Sequence, residues 1–206
     1  MARTSDHRVR VELIEQAAAL LATDEPLTLR AVAERSGTST MAVYTHFGGM
    51  PGLREAVRNE GFRRLVARLE GIDDTEDPVR DLAALGAAYV RHGIAHPHLY
   101  RAMFDPGTGL ENEEVAAEGL LRLTQAAERA RADGRFRSEP VDVAIRQWIA
   151  GHGLLDLVLR GVLPATSAAA HGASLTLGVF LAAGDEPERC RLSVTEGWSS
   201  IAEHGR

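Results

Sequence analysis

With 206 residues, 45% of them hydrophobic, the chain can bury one large core or two smaller ones, and its single cysteine, Cys190, excludes an internal disulfide framework. A formal net charge of −6 argues at first sight against a nucleic-acid partner, but the acidic excess is uneven: residues 1–70 carry 10 basic and 9 acidic groups, residues 71–206 carry 13 and 20. No apolar leader opens the chain, and the stretches near 154–163 and 173–183 read as too short and interrupted to span a bilayer, so a soluble cytoplasmic protein with no membrane partner is expected.

Arg3, His7, Arg8 and Arg10 form a basic lead into a first helix, whose apolar stripe Val9, Leu13, Ala17, Leu20 and Leu21 ends at Asp24, Glu25 and Pro26. Thr28 then caps a short helix with Leu29, Val32 and Ala33 at i, i+3 and i+4. Gly37 supplies a residue free to take positive φ in a tight turn. Ser39 caps the next helix, Thr40 to His46, with Val43 and Phe47 facing inward and Thr40, Met41, Tyr44 and Thr45 left outside. Two short helices joined by a tight turn make a helix-turn-helix, whose second helix is sized for a major groove. The window from Ser36 to Leu53 carries no formal charge, and every basic residue in the chain is arginine, able to bind phosphate or guanine bidentately.

This segment, with its continuation GGMPGLREAV, resembles the DNA-binding domain of the tetracycline-repressor (TetR/AcrR) family of one-component regulators. The residues that carry the likeness are Leu29, Val32, Ala33, Gly37, Ser39, Val43, Tyr44, His46, Phe47 and Leu53. One departure is Met50, which stands where the family usually has a phosphate-contacting lysine. Backbone amides at the start of the helix that follows carry partial positive charge and are an alternative phosphate anchor.

From about Pro51 to Leu69 a long helix carries Leu53, Ala56, Val57, Leu65, Val66 and Leu69 inward, and its length lets it belong to both domains. A change in its tilt would move the reading helix, which makes it the expected route for a ligand signal. Gly71 to Pro78, with four acids, reads as a loop. Five or six further helices follow, divided by His96-Pro97, Asp105 to Gly109, Asp133-Gly134, Pro164 and Gly184 to Pro187, with no strand-like alternation. The stretches HPHLYRAMF and WIAGHGLLDLVLRG resemble the WHG-type C-terminal domain of some family members. The helix from about Pro140 to Leu163 is apolar nearly all round, so it must be covered on every side, in part by a second subunit. The last helix offers Leu192, Val194, Trp198 and Ile201 to complete a four-helix interface between two copies. Two-fold operators ask for two reading helices roughly 34–36 Å apart, which a homodimer supplies.

Metal and catalytic readings are weaker. His92, His96 and His98 follow an HxxxHxH pattern, but no acidic or cysteine ligand is close and Pro97 breaks the helix between them, so a structural role, with His96 capping or bonding backbone, is favoured and no metal is expected. His152, one turn after Trp148, reads as a buried, hydrogen-bonded histidine. Neither a nucleophile with its base nor a phosphate-cradling glycine loop is present, so no enzymatic activity and no cofactor are expected. An apolar effector cavity is expected among Tyr89, His92, Tyr100, Met103, Phe104, Trp148 and His152, with Gly86, Gly93, Gly119, Gly151 and Gly153 marking a cavity or close packing.

The expected fold is all-α: a helix-turn-helix three-helix DNA-binding domain at 1–50, and a helical effector-binding and dimerisation domain at 51–206. The resemblance implies a homodimeric transcriptional regulator, a repressor released from its double-stranded DNA operator by a small apolar or amphipathic effector. Thr40, Met41 and Thr45 are offered to base edges, with Arg30 reaching guanine from the preceding helix. Thr28, Tyr44, His46 and the Met50 region hold phosphates and set register, and Ser39, which caps the reading helix, is counted with the DNA-binding residues. The alternative is a helical small-molecule-binding or structural protein whose motif only packs.

Overall fold

The computed structural model describes residues 2–22 and 26–203, without the side chains of 2–6, 22 and 201–203. All regular structure among them is helical: α1 (Ala2–Ala22), α2 (Leu29–Arg35), α3 (Thr40–Phe47), α4 (Met50–Glu70), α5 (Pro78–Ala95), α6 (Pro97–Met103), α7 (Glu113–Ala132), α8 (Pro140–Leu159), α9 (Ala168–Ala183) and α10 (Pro187–Glu203), with a 3-10 turn at Ala165–Ser167. His7, Arg8 and Arg10 therefore lie within α1 rather than in a lead before it. Asp24 and Glu25, expected to end that helix, fall outside the described residues, as does the side chain of Arg3.

The chain forms two compact units, Met1–Arg64 with His96–Ala116, and Leu65–Ala95 with Ala117–Arg206. The first unit takes in more than the 1–50 span expected from sequence, because Leu53, Ala56 and Val57 of α4 and Leu99 of α6 bury in the same core as Leu13, Ile14, Ala17 and Leu20 of α1, Val32 of α2 and Val43 of α3. That core is aliphatic and built at helical spacing, so the hydrophobic effect orients all five helices of the unit around it. At the end of α6, Arg58 Nε donates to the Met103 carbonyl at 2.7 Å and a second guanidinium nitrogen donates to the Thr108 carbonyl.

In the second unit α5 is the central element, with Val79, Leu82, Leu85, Tyr89 and Val90 buried and α8, α9 and α10 packed on it. Close packing explains two of the helical glycines: a β-carbon at Gly86 would run into the Gln147 amide, and one at Gly93 into Leu155. The apolar helix expected to reach Leu163 stops at Leu159, because Gly161 takes φ +74° and the chain turns. Its inner face buries Val143, Ala144, Leu154, Leu155 and Val158, while Val141, Trp148, Ile149 and Leu157 are exposed.

α10 buries part of the face that was expected to meet a second copy. Val194 is buried inside the unit, and Trp198 lies half-buried against Gly172 of α9, leaving Leu192 outside. The side chain of Ile201 is outside the described residues. The exposed apolar residues that accompany those of α8 are on α9, Leu175 and Leu181. Ala165–Ala183 is also long and apolar enough to cross a membrane by length and composition alone, contrary to the expectation that no stretch reaches that length. The 3-10 turn joins α9 without a break, and α9 buries Ala168, Gly172, Thr176, Phe180 and Ala183 in the unit.

Charged side chains organise one end of this unit. Arg135, 4% exposed, donates to both carboxylate oxygens of Asp185 at 2.5 and 2.7 Å and to Asp77 at 3.0 Å, while Ser193 Oγ donates to Asp77 at 2.5 Å. Beside it Asp81, 1% exposed, accepts from Arg129 at 3.0 Å and from the Thr75 hydroxyl and amide. The acidic loop after α4 is thus tied down by arginines rather than left as a solvated charge run.

Candidate nucleic-acid interface

The sequence places α2 and α3 through two hydroxyl caps. Thr28 Oγ1 accepts from the Ala31 amide at 3.2 Å and Ser39 Oγ from the Ala42 amide at 3.3 Å, each satisfying an N–H that the helix itself leaves open. Between the helices Gly37 takes φ +64°, a region that costs a side-chain-bearing residue roughly 1–2 kcal/mol. The turn closes with the Thr38 amide donating to the Ala33 carbonyl at 2.9 Å.

α3 is anchored by Val43, wholly buried, and by Phe47, which packs on the first unit's core. The Arg10 guanidinium lies 5.2 Å from the centroid of the Phe47 ring, a cation–π contact from α1 to the end of α3 that periodicity gave no way to anticipate. Arg10 also pairs with Glu111. The outer face carries the residues expected there: Thr40, Met41, Tyr44 and Thr45 are all exposed, Met41 at 68% and Tyr44 at 52%. Thr45 Oγ1 donates to the Met41 carbonyl at 2.9 Å, which uses its hydroxyl proton and leaves its lone pairs as acceptors.

Thr28, Arg30 and Ser39 are exposed and His46 is half-buried. Met50 opens α4 with its side chain packed against the first unit's core. An apolar residue there adds buried area, which gives a physical reason for its standing in place of a lysine.

The seven residues expected to line an effector cavity fall into two groups. Tyr100, Met103 and Phe104 belong to the first unit, where Met103 is fully buried, Gly61 abuts it, and Phe104 stacks edge-on against Phe62 at 5.6 Å and tilted on Tyr100 at 4.9 Å. Tyr89, His92, Trp148 and His152 belong to the second. There Tyr89 Oη and His152 Nδ1 share a hydrogen bond of 3.0 Å, and the Trp148 ring stands edge-on to His152 at 6.0 Å. Burial holds the His152 imidazole below its ordinary pKa, with nearby Asp156 opposing the shift. His96 holds the N-cap position of α6 without a side-chain cap bond; its carbonyl accepts from the Tyr100 amide at 2.9 Å.

A polar pair missed in the sequence sits deeper. Gln147 Nε2 donates to Thr176 Oγ1 at 2.9 Å and Trp198 Nε1 approaches the same oxygen at 3.3 Å. The available signal was a lone glutamine on the inward face of an otherwise apolar helix.

Residues 82–181 match the family model described as tetracyclin repressor-like, C-terminal domain, a span that contains both HPHLYRAMF and WIAGHGLLDLVLRG. No curated protein matches the sequence. Among solved structures, a protein of unknown function from Rhodococcus sp. RHA1 is similar over 86% of this chain and 96% of its own, with TM-score 0.75 and 24% identity. TylP, a tetR regulator from Streptomyces fradiae, is similar over 96% and 97%, with TM-score 0.68 and 15% identity. RolR in complex with resorcinol is similar over 94% and 96%, with TM-score 0.67 and 18% identity. At these identities the likeness is one of fold.

Proposed function

We propose that the chain is a member of the tetracycline-repressor family, whose C-terminal-domain model matches residues 82–181, and that it is a homodimeric, ligand-responsive transcriptional regulator that reads duplex DNA through α3. The observation that carries the reading is the outer face of α3: four exposed, uncharged residues with hydrogen-bonding or methyl-contacting ends, on a helix whose opposite side is locked by Val43 and Phe47. Met41 suits thymine methyls, Thr40 suits either base type, and Thr45 acts as an acceptor toward base amino groups. Arg30 reaches guanine from α2. Tyr44, Thr28 and His46 hold phosphates and set register, and the amides at the start of α4 take the phosphate that a lysine binds elsewhere in the family.

Two copies pair through the exposed apolar residues of α8 and α9, with α9 in the place first assigned to α10. The effector is a small apolar or amphipathic molecule that meets the second unit at Tyr89, His92, Trp148 and His152. The Tyr89–His152 pair supplies a polar anchor within an apolar setting, and the resorcinol held by RolR supports a ligand of that size on this fold. Binding to one of two dimer geometries, with a coupling of about 1–3 kcal/mol, lowers operator affinity and makes the protein a repressor acting in the cytoplasm.

The test is selection of bound sequences from random duplex DNA, followed by anisotropy titrations on the recovered site. Tyr44→Phe weakens binding to all sequences alike, whereas Thr40→Ala relaxes preference at one position by about 1–3 kcal/mol. Binding that is absent even at low salt, or Thr40→Ala identical to wild type on every operator variant, refutes the assignment.

A further inference from the structure

The first unit contains a half-open cavity of about 480 Å³, between α1, the first part of α4 and residues 111–115. That is the size of a small-molecule site. Val11, Ile14, Ala56 and Val115 give it an apolar lining, and Arg10 pairs with Glu111 at one wall. Two polar side chains on its α4 wall are buried, each 7% exposed. Glu60 is held by Arg63 and Arg64, the latter at 2.8 Å. Asn59 is not held in this way: its Oδ1 is buried and accepts no hydrogen bond among the described residues. A buried acceptor left open forfeits its solvation without replacement, so its persistence beside a cavity points to a partner that arrives from outside.

The polarity of that partner follows from the orphan atom. Each carboxylate of the wall already has an arginine, Glu111 with Arg10, Glu60 with Arg63 and Arg64, and Glu15 with Arg64. Asn59 Oδ1 is the acceptor left open, and it calls for an N–H donor on an apolar body, which an amine supplies and a carboxylate does not.

We propose that this cavity binds a small organic amine, its ammonium directed to Asn59 and its hydrocarbon part to Val11, Ile14, Ala56 and Val115. The site is separate from the effector residues of the second unit and does not depend on DNA recognition. Because Arg10 belongs both to the cavity wall and to the Phe47 contact, occupancy is sensed at the end of α3.

The test titrates the full chain with 2-phenylethylamine and, for comparison, 3-phenylpropionate, by calorimetry and by methyl shifts of Ile14 and Val115. The amine is expected to bind saturably with shifts at both methyls, at least tenfold tighter than the carboxylate. Asn59→Leu should weaken it at least tenfold. Val11→Trp, at a 41% exposed rim position, fills the cavity without entering the core and should abolish it. That second variant decides the matter if Asn59→Leu does not fold. No saturable amine binding, equal or tighter binding of the carboxylate, shifts confined elsewhere, or amine binding unchanged by Val11→Trp overturns the proposal and leaves the regulator reading untouched.

Discussion

Replacing Arg135 by Met removes the cation that two carboxylates of the second unit share. Asp185, with a side chain 1% exposed, loses both of its short bonds and is left as an unpaired buried charge, while Asp77, 31% exposed, is re-solvated in part. Breaking a buried pair from one side costs about 3–5 kcal/mol. For a chain of this size each kcal/mol lowers Tm by about 2–4 °C, so calorimetry should show a fall of about 6–20 °C. Arg135→Met/Asp185→Leu removes the charge along with its partner and should recover much of the loss. Acid titration supplies an independent sign. Burial raises the Asp77 pKa, but the Ser193 hydroxyl, the Arg80 and Val79 amides and Arg135 together hold it below the ordinary aspartate value. A depressed folded pKa gives stability that is present above the unfolded value and lost as pH falls through the folded one, and Arg135→Met should flatten that acid limb. A Tm within 2 °C of wild type, or a double variant no more stable than the single one, refutes the view that this cluster ties the acidic loop to α10.

Cys190 is wholly buried, and burial followed by the charge of Asp185 pushes its thiol up to about 12, so a disulfide exchange reagent should label it only on unfolding, and fast labelling of the folded chain contradicts this. Gly37→Ala meets no atom within 4 Å but must hold φ +64°, so it should cost about 1–2 kcal/mol by denaturant melting and weaken DNA binding through α3. Gly86→Ala has an ordinary backbone but drives a methyl into the Gln147 amide, so it should destabilise the second unit while leaving the first unit's core intact by hydrogen exchange. His152 has a depressed pKa, so the unfolded chain takes up its proton first and stability falls as pH drops below about 6.5; His152→Gln should reduce that slope in melts between pH 7 and 5.

α3 was legible because its determinants are local. Thr28, Gly37 and Ser39 act on atoms within five residues of themselves, and Val43 and Phe47 follow a single period, so short-range chemistry alone marks both helices and the turn. What the sequence concealed depends on pairs that meet only in the folded chain. Arg135 finds Asp185 and Asp77 50 and 58 positions away, and Arg10 finds Phe47 and Glu111 37 and 101 positions away. No periodicity specifies which of 23 arginines takes which of 29 acids. The partial burial of α10 was hidden for a related reason. Both α9 and α10 carry apolar residues on more than one side, so pattern alone does not tell a face that closes its own unit from one that remains exposed. The decision rests with Trp198, whose indole needs the space that Gly172 leaves on α9, and with Val194, which turns inward with it. A β-carbon at residue 172 would run into that indole, so Gly172→Ala should push Trp198 outward and be seen as a red shift of its fluorescence. An unchanged spectrum would mean that some other contact sets the orientation of α10.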